Sequence, residues 1–282
     1  MTSDPVKKIQ NVIKKAIDTG KASEAALKAS KGEIVQLPLW RDEVRGIPNE
    51  IVRSAIFNVG NPRTKRAFFE KAQIAVIGDA EITYTGIELR QDDEDVWLQI
   101  LHLSRMQEIG SCVEFSPYSM LKVLKWHPNG HYKKKLKDTI DRLIATNLSM
   151  FSKRLGEGIS VSLIHKFVWT DRQNIELDRW CVYLDLEIKE AFGELHYTQL
   201  EWDQRLKLTP FEKWLHGYYA SHKQSYPLKL NTIQAACGSA IKDPYKFKQL
   251  LKKSVNKLVE IGFLTAAEIK DGKLYIFRKS QS

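Results

Sequence analysis

The chain has 282 residues, 43% of them apolar. That length suits two ordinary domains with separate cores, and that composition excludes an intrinsically disordered chain. The formal charge is +10, unevenly placed: residues 1–50 carry 9 basic and 7 acidic side chains, residues 51–199 carry 20 of each, and residues 200–282 carry 15 and 7. Such a field in the last third fits a phosphate-bearing partner. A membrane surface is disfavoured, because no lipidation signal or long apolar run accompanies the charge. Met1–Gln10 lacks the apolar stretch of a secretory signal. Cys112, Cys181 and Cys237 are far apart with no CxxC pair, and read as buried free thiols of a cytoplasmic protein.

Residues 5–30 place Ile9, Val12, Ile13, Ala16 and Ile17 at helical spacing in a Lys- and Ala-rich setting, a marginal helix. Gln36-Leu37-Pro38-Leu39-Trp40 is an apolar pentapeptide in a polar neighbourhood, and the first folded domain is expected to begin near Ile47. Segments 72–77 and 81–84 flank Gly78-Asp79-Ala80 as a hairpin. Asp92–Asp95 put four acids at the start of a helix through Val96, Trp97, Ile100 and Leu101, where the dipole favours them. Ser116-Pro117 is an N-cap followed by Pro at the first helical position. The polar run 126–130 is then the turn into a helix over 131–146. Segments 148–151, 159–169 and 180–186 read as strands around a first wing, with Gly156 and Gly158 in its turn. Segment 192–208 reads as a short strand and connector. Thr209-Pro210-Phe211-Glu212 is a capping box. A short strand over 226–230, a helix capped by Asn231 and a long helix over 244–261 follow. A last hairpin, 263–266 with 273–277, turns at Asp271-Gly272.

The layout is duplicated. Adding 115 carries Leu136 onto Leu251, Ile140 onto Val255, Leu143 onto Leu258 and Leu148 onto Phe263. Lys133, Lys137 and Arg142 land on Lys248, Lys252 and Lys257. Apolar residues spaced four then three mark the buried face of a helix. Each copy therefore reads as helix, break, second helix, hairpin. The expected fold is α+β: tandem winged-helix domains over 47–190 and 191–282, after a flexible, partly helical N-terminal region over 1–46.

In a winged helix the start of the second helix enters the major groove, and later cations meet phosphates. In the second copy Lys242, Tyr245, Lys246, Gln249, Lys252, Lys253, Asn256 and Lys257 are the candidates, with Lys270 and Lys273 from its wing. In the first copy they are Asn129, His131, Tyr132, Lys134 and Lys135, with Lys153 and Arg154 from the wing. Asp138 and Asp141 offset charge there, so DNA contact and a solvated face both stay open. Gln36, Leu37, Leu39 and Trp40 suit either docking into a partner's pocket or packing within the chain.

No enzyme is expected. His127 and His131 are four apart, but Pro128 and Gly130 between them spoil helical ligand geometry, so no metal site is assigned. There is no G-x-x-x-x-G-K-[ST] loop, no cofactor seat and no His-x-His with a catalytic Tyr.

Three longer segments carry a family resemblance: ITYTGIELRQDDEDVW at 82–97, VSLIHKF at 161–167 and LTPFEKWLHGYYASHKQSYPLKLNTIQAACGS at 208–239. Over about residues 34–277 the chain resembles the TrfA family of IncP plasmid replication initiators. The resemblance implies a non-enzymatic protein that binds double-stranded iteron repeats at a plasmid origin through tandem winged helices. It implies that host DnaA and the DnaB helicase are partners, with a homodimer off DNA and a monomer on iterons. It also implies that Gln36, Leu37, Leu39 and Trp40 form a peptide for the host polymerase III β sliding clamp. Here Trp40 stands where the family pattern has Phe, and Pro38 removes a backbone donor. A two-domain transcriptional regulator shares the charge pattern but has no need of that peptide. A strand-nicking replication enzyme would need a nucleophile and metal ligands.

Overall fold

A computed structural model of the chain describes residues 36–61, 63–151, 158–192, 196–224 and 226–278. The helix expected over 5–30 lies outside these residues, as do Lys153, Arg154 and Gly156. In chain order the elements begin with β1 Val44–Pro48, α1 Asn49–Val52, β2 Phe57–Asn58, β3 Phe68–Ile74, β4 Glu81–Ile87, β5 Leu89–Arg90 and α2 Gln91–Ser104. Next come β6 Val113–Phe115, α3 Pro117–Val123, α4 Gly130–Ile144, β7 Asn147–Phe151, β8 Gly158–Val161, β9 Lys166–Thr170, β10 Glu176–Tyr183 and α5 Ile188–Phe192. The chain continues through β11 Tyr197–Glu201, α6 Trp202–Arg205, α7 Pro210–Ala220, β12 Leu228–Lys229, α8 Leu230–Ala236, α9 Pro244–Glu260, β13 Ala266–Lys270 and β14 Lys273–Phe277. Residues from Gln36 onward form one compact unit of mixed helix and strand. Among the described residues no helix is long and apolar enough to cross a membrane.

The duplication is visible in the topology. The run α2, β6, α3, α4, β9, β10 folds its strands into an antiparallel sheet of order β6-β10-β9. The run α7, β12, α8, α9, β13, β14 gives β12-β14-β13, again first, third, second. Leu136, Ile140 and Leu143 on α4 are buried, as are Leu251, Val255 and Leu258 on α9, so the four-then-three spacing does mark the inner faces. Asn129 caps α4 by accepting from the Tyr132 amide at 3.0 Å. Asp243 caps α9 by accepting from the amides of Tyr245 at 2.9 Å and Lys246 at 3.3 Å. The capping box opens α7, with the Thr209 amide donating to Glu212 at 2.8 Å. Asp271 and Gly272 both have positive φ, 50° and 68°, which the two-residue turn of the last hairpin needs. Asn231 lies inside α8, whose N-cap is Lys229.

The first wing differs from the sequence expectation. β7 and β8 leave the duplicated layout and join β3 and β4 in a four-stranded sheet, order β3-β4-β7-β8. Leu148 is therefore not the equivalent of Phe263. Lys153 and Arg154 fall in sequence between β7 and β8. The hairpin paired with β6 is β9–β10, whose tip spans 171–175. Asp171 Oδ1 accepts from the amides of Gln173 and Ile175 there, and Asn174 takes φ 62°. This hairpin presents Arg172 to solvent. A turn signal in the sequence marks a hairpin, but not which sheet edge its strands will join.

The segment before Ile47 also differs. Leu37 is 2% exposed and Trp40 6%, while Leu39 is 64% exposed. Trp40 stacks on Phe192 with ring centres 5.8 Å apart, and its indole N–H donates to His102 Nδ1 at 3.0 Å. Gln36 donates to the Arg105 carbonyl at 2.7 Å. Gly46 allows this approach, since a Cβ there would lie 2.7 Å from the Trp40 ring. β1 then pairs antiparallel with β11, fixing residues 44–48 against the connector. Two large apolar side chains gain more by this burial than a free tail would, so residues 36–46 are folded rather than flexible. Cys112 and Cys181 are joined in a disulfide, contrary to the expectation of three free thiols, because β6 and β10 are paired neighbours. Cys237 is free and buried, and burial pushes its thiol up to about 12.

Candidate nucleic-acid interface

α9 is built to show cations to solvent. Phe247, Leu251, Ser254, Val255 and Leu258 face inward. Tyr245, Lys246, Lys248, Gln249, Lys252, Lys253 and Asn256 are exposed, as is Lys242 before the helix, and Lys257 is half-buried. Tyr245 is 69% exposed at the helix start. Among the described residues no carboxylate lies within ion-pair distance of Lys242, Lys246, Lys248, Lys252 or Lys253, whereas Lys257 pairs with Glu260 at 2.7 Å. Lys270 is exposed and Lys273 half-buried at the adjoining hairpin turn. The sequence reading put Tyr245, Lys246, Gln249, Lys252, Lys253, Asn256 and Lys257 on one helix and Lys270 and Lys273 at a hairpin, and the structure has the former on α9 and the latter at the turn between β13 and β14. It passed over Lys248, although the 115-residue shift pairs it with Lys133.

α4 presents a different face. Lys133 pairs with Glu176 at 2.8 Å, Lys134 with Asp138 at 2.9 Å, Lys135 with Asp92 at 2.9 Å and Lys137 with Asp141 at 3.0 Å. Lys135 also lies over Trp126 and Lys137 over Trp169. Arg142 reaches Asp93 at 2.7 Å. Each of the five cations of this helix has an acidic partner. Asn129 and His131 are exposed and Tyr132 half-buried.

The acids at the start of α2 are a structural hub rather than a solvated helix end. Asp93, Glu94 and Asp95 are buried. Arg66 and Arg142 hold Asp93, and Arg205 holds Glu94 at 2.9 Å and Asp95 at 2.8 Å. Lys213 of α7 also pairs with Asp95. Arg205 is itself fully buried. Burying such charges is tolerable only when each is neutralised, so these contacts tie the two copies together. The dipole argument located the acids correctly and missed their partners, which lie far along the chain.

The described residues contain no group of three or more His, Cys, Asp or Glu that could hold a metal ion. His127 and His131 are both exposed.

The chain thus has a duplicated three-helix and hairpin layout in which one helix turns a cation-rich face to solvent. The family described as TrfA protein matches residues 4–278. The plasmid replication initiator protein TrfA of Escherichia coli is 34% identical over 273 residues, covering 93% of this chain and 71% of that one. The chain belongs to the TrfA family of plasmid replication initiators. In shape it is similar to domains 2 and 3 of RctB, with a TM-score of 0.51, covering 78% of this chain and 92% of that one at 14% identity. That likeness concerns the fold.

Proposed function

We propose that this chain initiates plasmid replication by binding repeated iteron duplexes at the origin through two winged-helix units. The observation that carries this reading is the repeated sheet order behind α4 and α9, together with the unpaired lysines of α9. The start of α9, with Lys246 and Gln249, reads base edges. Lys252, Lys253, Lys257, Lys270 and Lys273 meet phosphates. α4 enters a neighbouring groove through Asn129, His131 and Tyr132, with less charge to offer. Lys134 and Lys135 bind DNA there only by exchanging their carboxylate partners for phosphates. Gripping successive grooves offsets the bending of a short site, roughly 1–6 kcal/mol, and several bound copies favour strand opening nearby. The protein acts without catalysis, handing the opened duplex to host DnaA and DnaB. It is a homodimer off DNA and a monomer on iterons.

Docking of Gln36, Leu37, Leu39 and Trp40 on the host sliding clamp is part of the same proposal, with one added step. Trp40 must leave its seat against Phe192 and His102, while Leu39 already faces outward. Leu39→Ala therefore lowers clamp affinity and leaves the melting temperature unchanged, whereas Trp40→Ala destabilises the fold by about 3–5 kcal/mol. Clamp binding unchanged in Leu39→Ala counts against this step.

Footprinting on the replicon that encodes the chain tests the main reading. Several protected sites in one orientation are expected. A single palindromic site would instead indicate a regulator. Supercoiled origin DNA incubated with the protein and Mg²⁺ should stay un-nicked, and a covalent protein–DNA adduct would refute the non-enzymatic reading.

A further inference from the structure

One short stretch, Asn58–Arg66, is tied to both copies. The Val59 amide donates to the Cys237 carbonyl at 3.0 Å, at the turn that leads into α9, and Val59 packs on the second copy's core. A Cβ at Gly238 of that turn would lie 2.6 Å from the Asn58 side chain. At the other end Arg66 donates to Asp93 at 2.6 Å and to Asp92 at 3.2 Å. These are the same carboxylates that hold Arg142 and Lys135 of α4. The stretch therefore runs from the turn before one long helix to the ion pairs of the other.

Its interior is organised around the buried guanidinium of Arg90. That group donates to the carbonyls of Thr64 at 3.1 Å and Lys65 at 3.4 Å, as well as to that of Asn61. Glu88 neutralises it at 2.6 Å and accepts from Asn58 at 2.8 Å. With its carbonyls turned onto Arg90, the stretch leaves Arg63 and Lys65 in solvent. Neither has a carboxylate partner among the described residues. These two unpaired cations contrast with the five of α4, each of which has an acidic partner.

We propose that Arg63 and Lys65 make a third DNA contact, to the phosphates that border the minor groove between the sites of α4 and α9. The inference rests on the DNA-binding reading above. Two helices in successive major grooves leave one stretch of backbone between them, and a segment anchored to both faces it. Cations there neutralise phosphates without regard to sequence, and the Arg90 hydrogen bonds to the Asn61, Thr64 and Lys65 carbonyls lower the ordering cost of presenting them.

The test uses the full chain, a duplex carrying a site protected in the footprint, and a scrambled duplex of the same length. Arg63→Ala with Lys65→Ala should reduce the slope of log affinity against log salt by about two units on both duplexes. Hydroxyl-radical protection should disappear between the positions of α4 and α9 and persist at the position of α9. The charge-keeping pair Arg63→Lys with Lys65→Arg should retain the wild-type slope. Thermal stability should not change in either variant, because both side chains are exposed. An unchanged slope in the alanine pair, with a reduced slope in Lys252→Ala, overturns this contact and leaves the DNA-binding reading intact. If Lys252→Ala also leaves the slope unchanged, the DNA-binding reading itself fails.

Discussion

α4 and α9 hold the same place in the two copies and use their cations in opposite ways. Each carries a string of lysines over an inner face of the same spacing. On α4 those cations lie against Asp92, Asp93, Asp138, Asp141 and Glu176. On α9 four lysines face solvent without a partner among the described residues. Two positions explain much of the contrast: the 115-residue shift carries Asp138 onto Lys253 and Asp141 onto Asn256. The lesson is that a count of lysines does not measure a helix's field. A face of paired charges is nearly neutral to an approaching polyanion, and of these two helices α9 has the open one.

The comparison breaks most sharply at Arg205. If cations near the first copy serve the fold and those of α9 serve DNA, then Arg205→Ala must act on stability. It strands Glu94 and Asp95 in the interior, and a loss of about 3–5 kcal/mol in urea unfolding is expected. Lys252→Ala, a surface change, should stay within about 0.5 kcal/mol in the same measurement. Equal losses in the two variants would erase the division of labour.

A smaller effect sharpens the α9 side. Lys246→Ala and Gln249→Ala should each lower discrimination between specific and scrambled duplex by about 1–3 kcal/mol. Competition binding reads this directly. Equal loss on both duplexes would move these residues from base edges to the backbone.

Smaller again is a graft of α9's outer face onto α4. Asp138→Lys with Asp141→Asn frees Lys134 and Lys137 and adds a cation. The salt slope on scrambled duplex should steepen by about one to three units, with no loss of specific binding. A slope that does not move would show that α4 never approaches the duplex.

How much of this was legible in the chain depends on where each partner lies. The inner faces of both helices follow from spacing, and the Asp271-Gly272 turn from its dipeptide, because these signals are local. The partners of Lys133 and Lys135 are Glu176 and Asp92, which no helical period connects to them. Likewise, the strands around Gly156 and Gly158 do pair with each other, but they extend the β3–β4 sheet through β7 rather than joining β10, a choice made by the sheet edge available. Leu37 and Trp40 show the same limit. An apolar pentapeptide looks identical whether its pocket belongs to a partner or to the same chain. Only the Gly46 and Phe192 contacts decide between them.

That seat gives the mildest prediction, and one confined to a region away from both long helices. Trp40 donates to His102 Nδ1, so this nitrogen must be unprotonated in the fold. Burial, then the nearby Arg45 and Arg105, pulls the His102 imidazole from 6.5 to about 4. Burial, then Arg205 and Arg278, pulls His216 to about 3. In the unfolded chain both take a proton near 6.5, so the unfolded state binds protons first as pH falls. Their contribution is therefore complete above pH 6.5 and shrinks as pH drops toward 4 and then 3. Residues 36–46 should lose amide protection relative to α9 between pH 6.5 and 5, after correction for intrinsic exchange. His102→Gln, which titrates nowhere in this range, should flatten that loss while His216 keeps its own effect on global stability. α9 contains no histidine, so its DNA affinity should not follow the same curve. If wild type and His102→Gln lose protection in parallel, the imidazole is not what holds Trp40. The stacking on Phe192 would then be the contact that holds Trp40 in its seat.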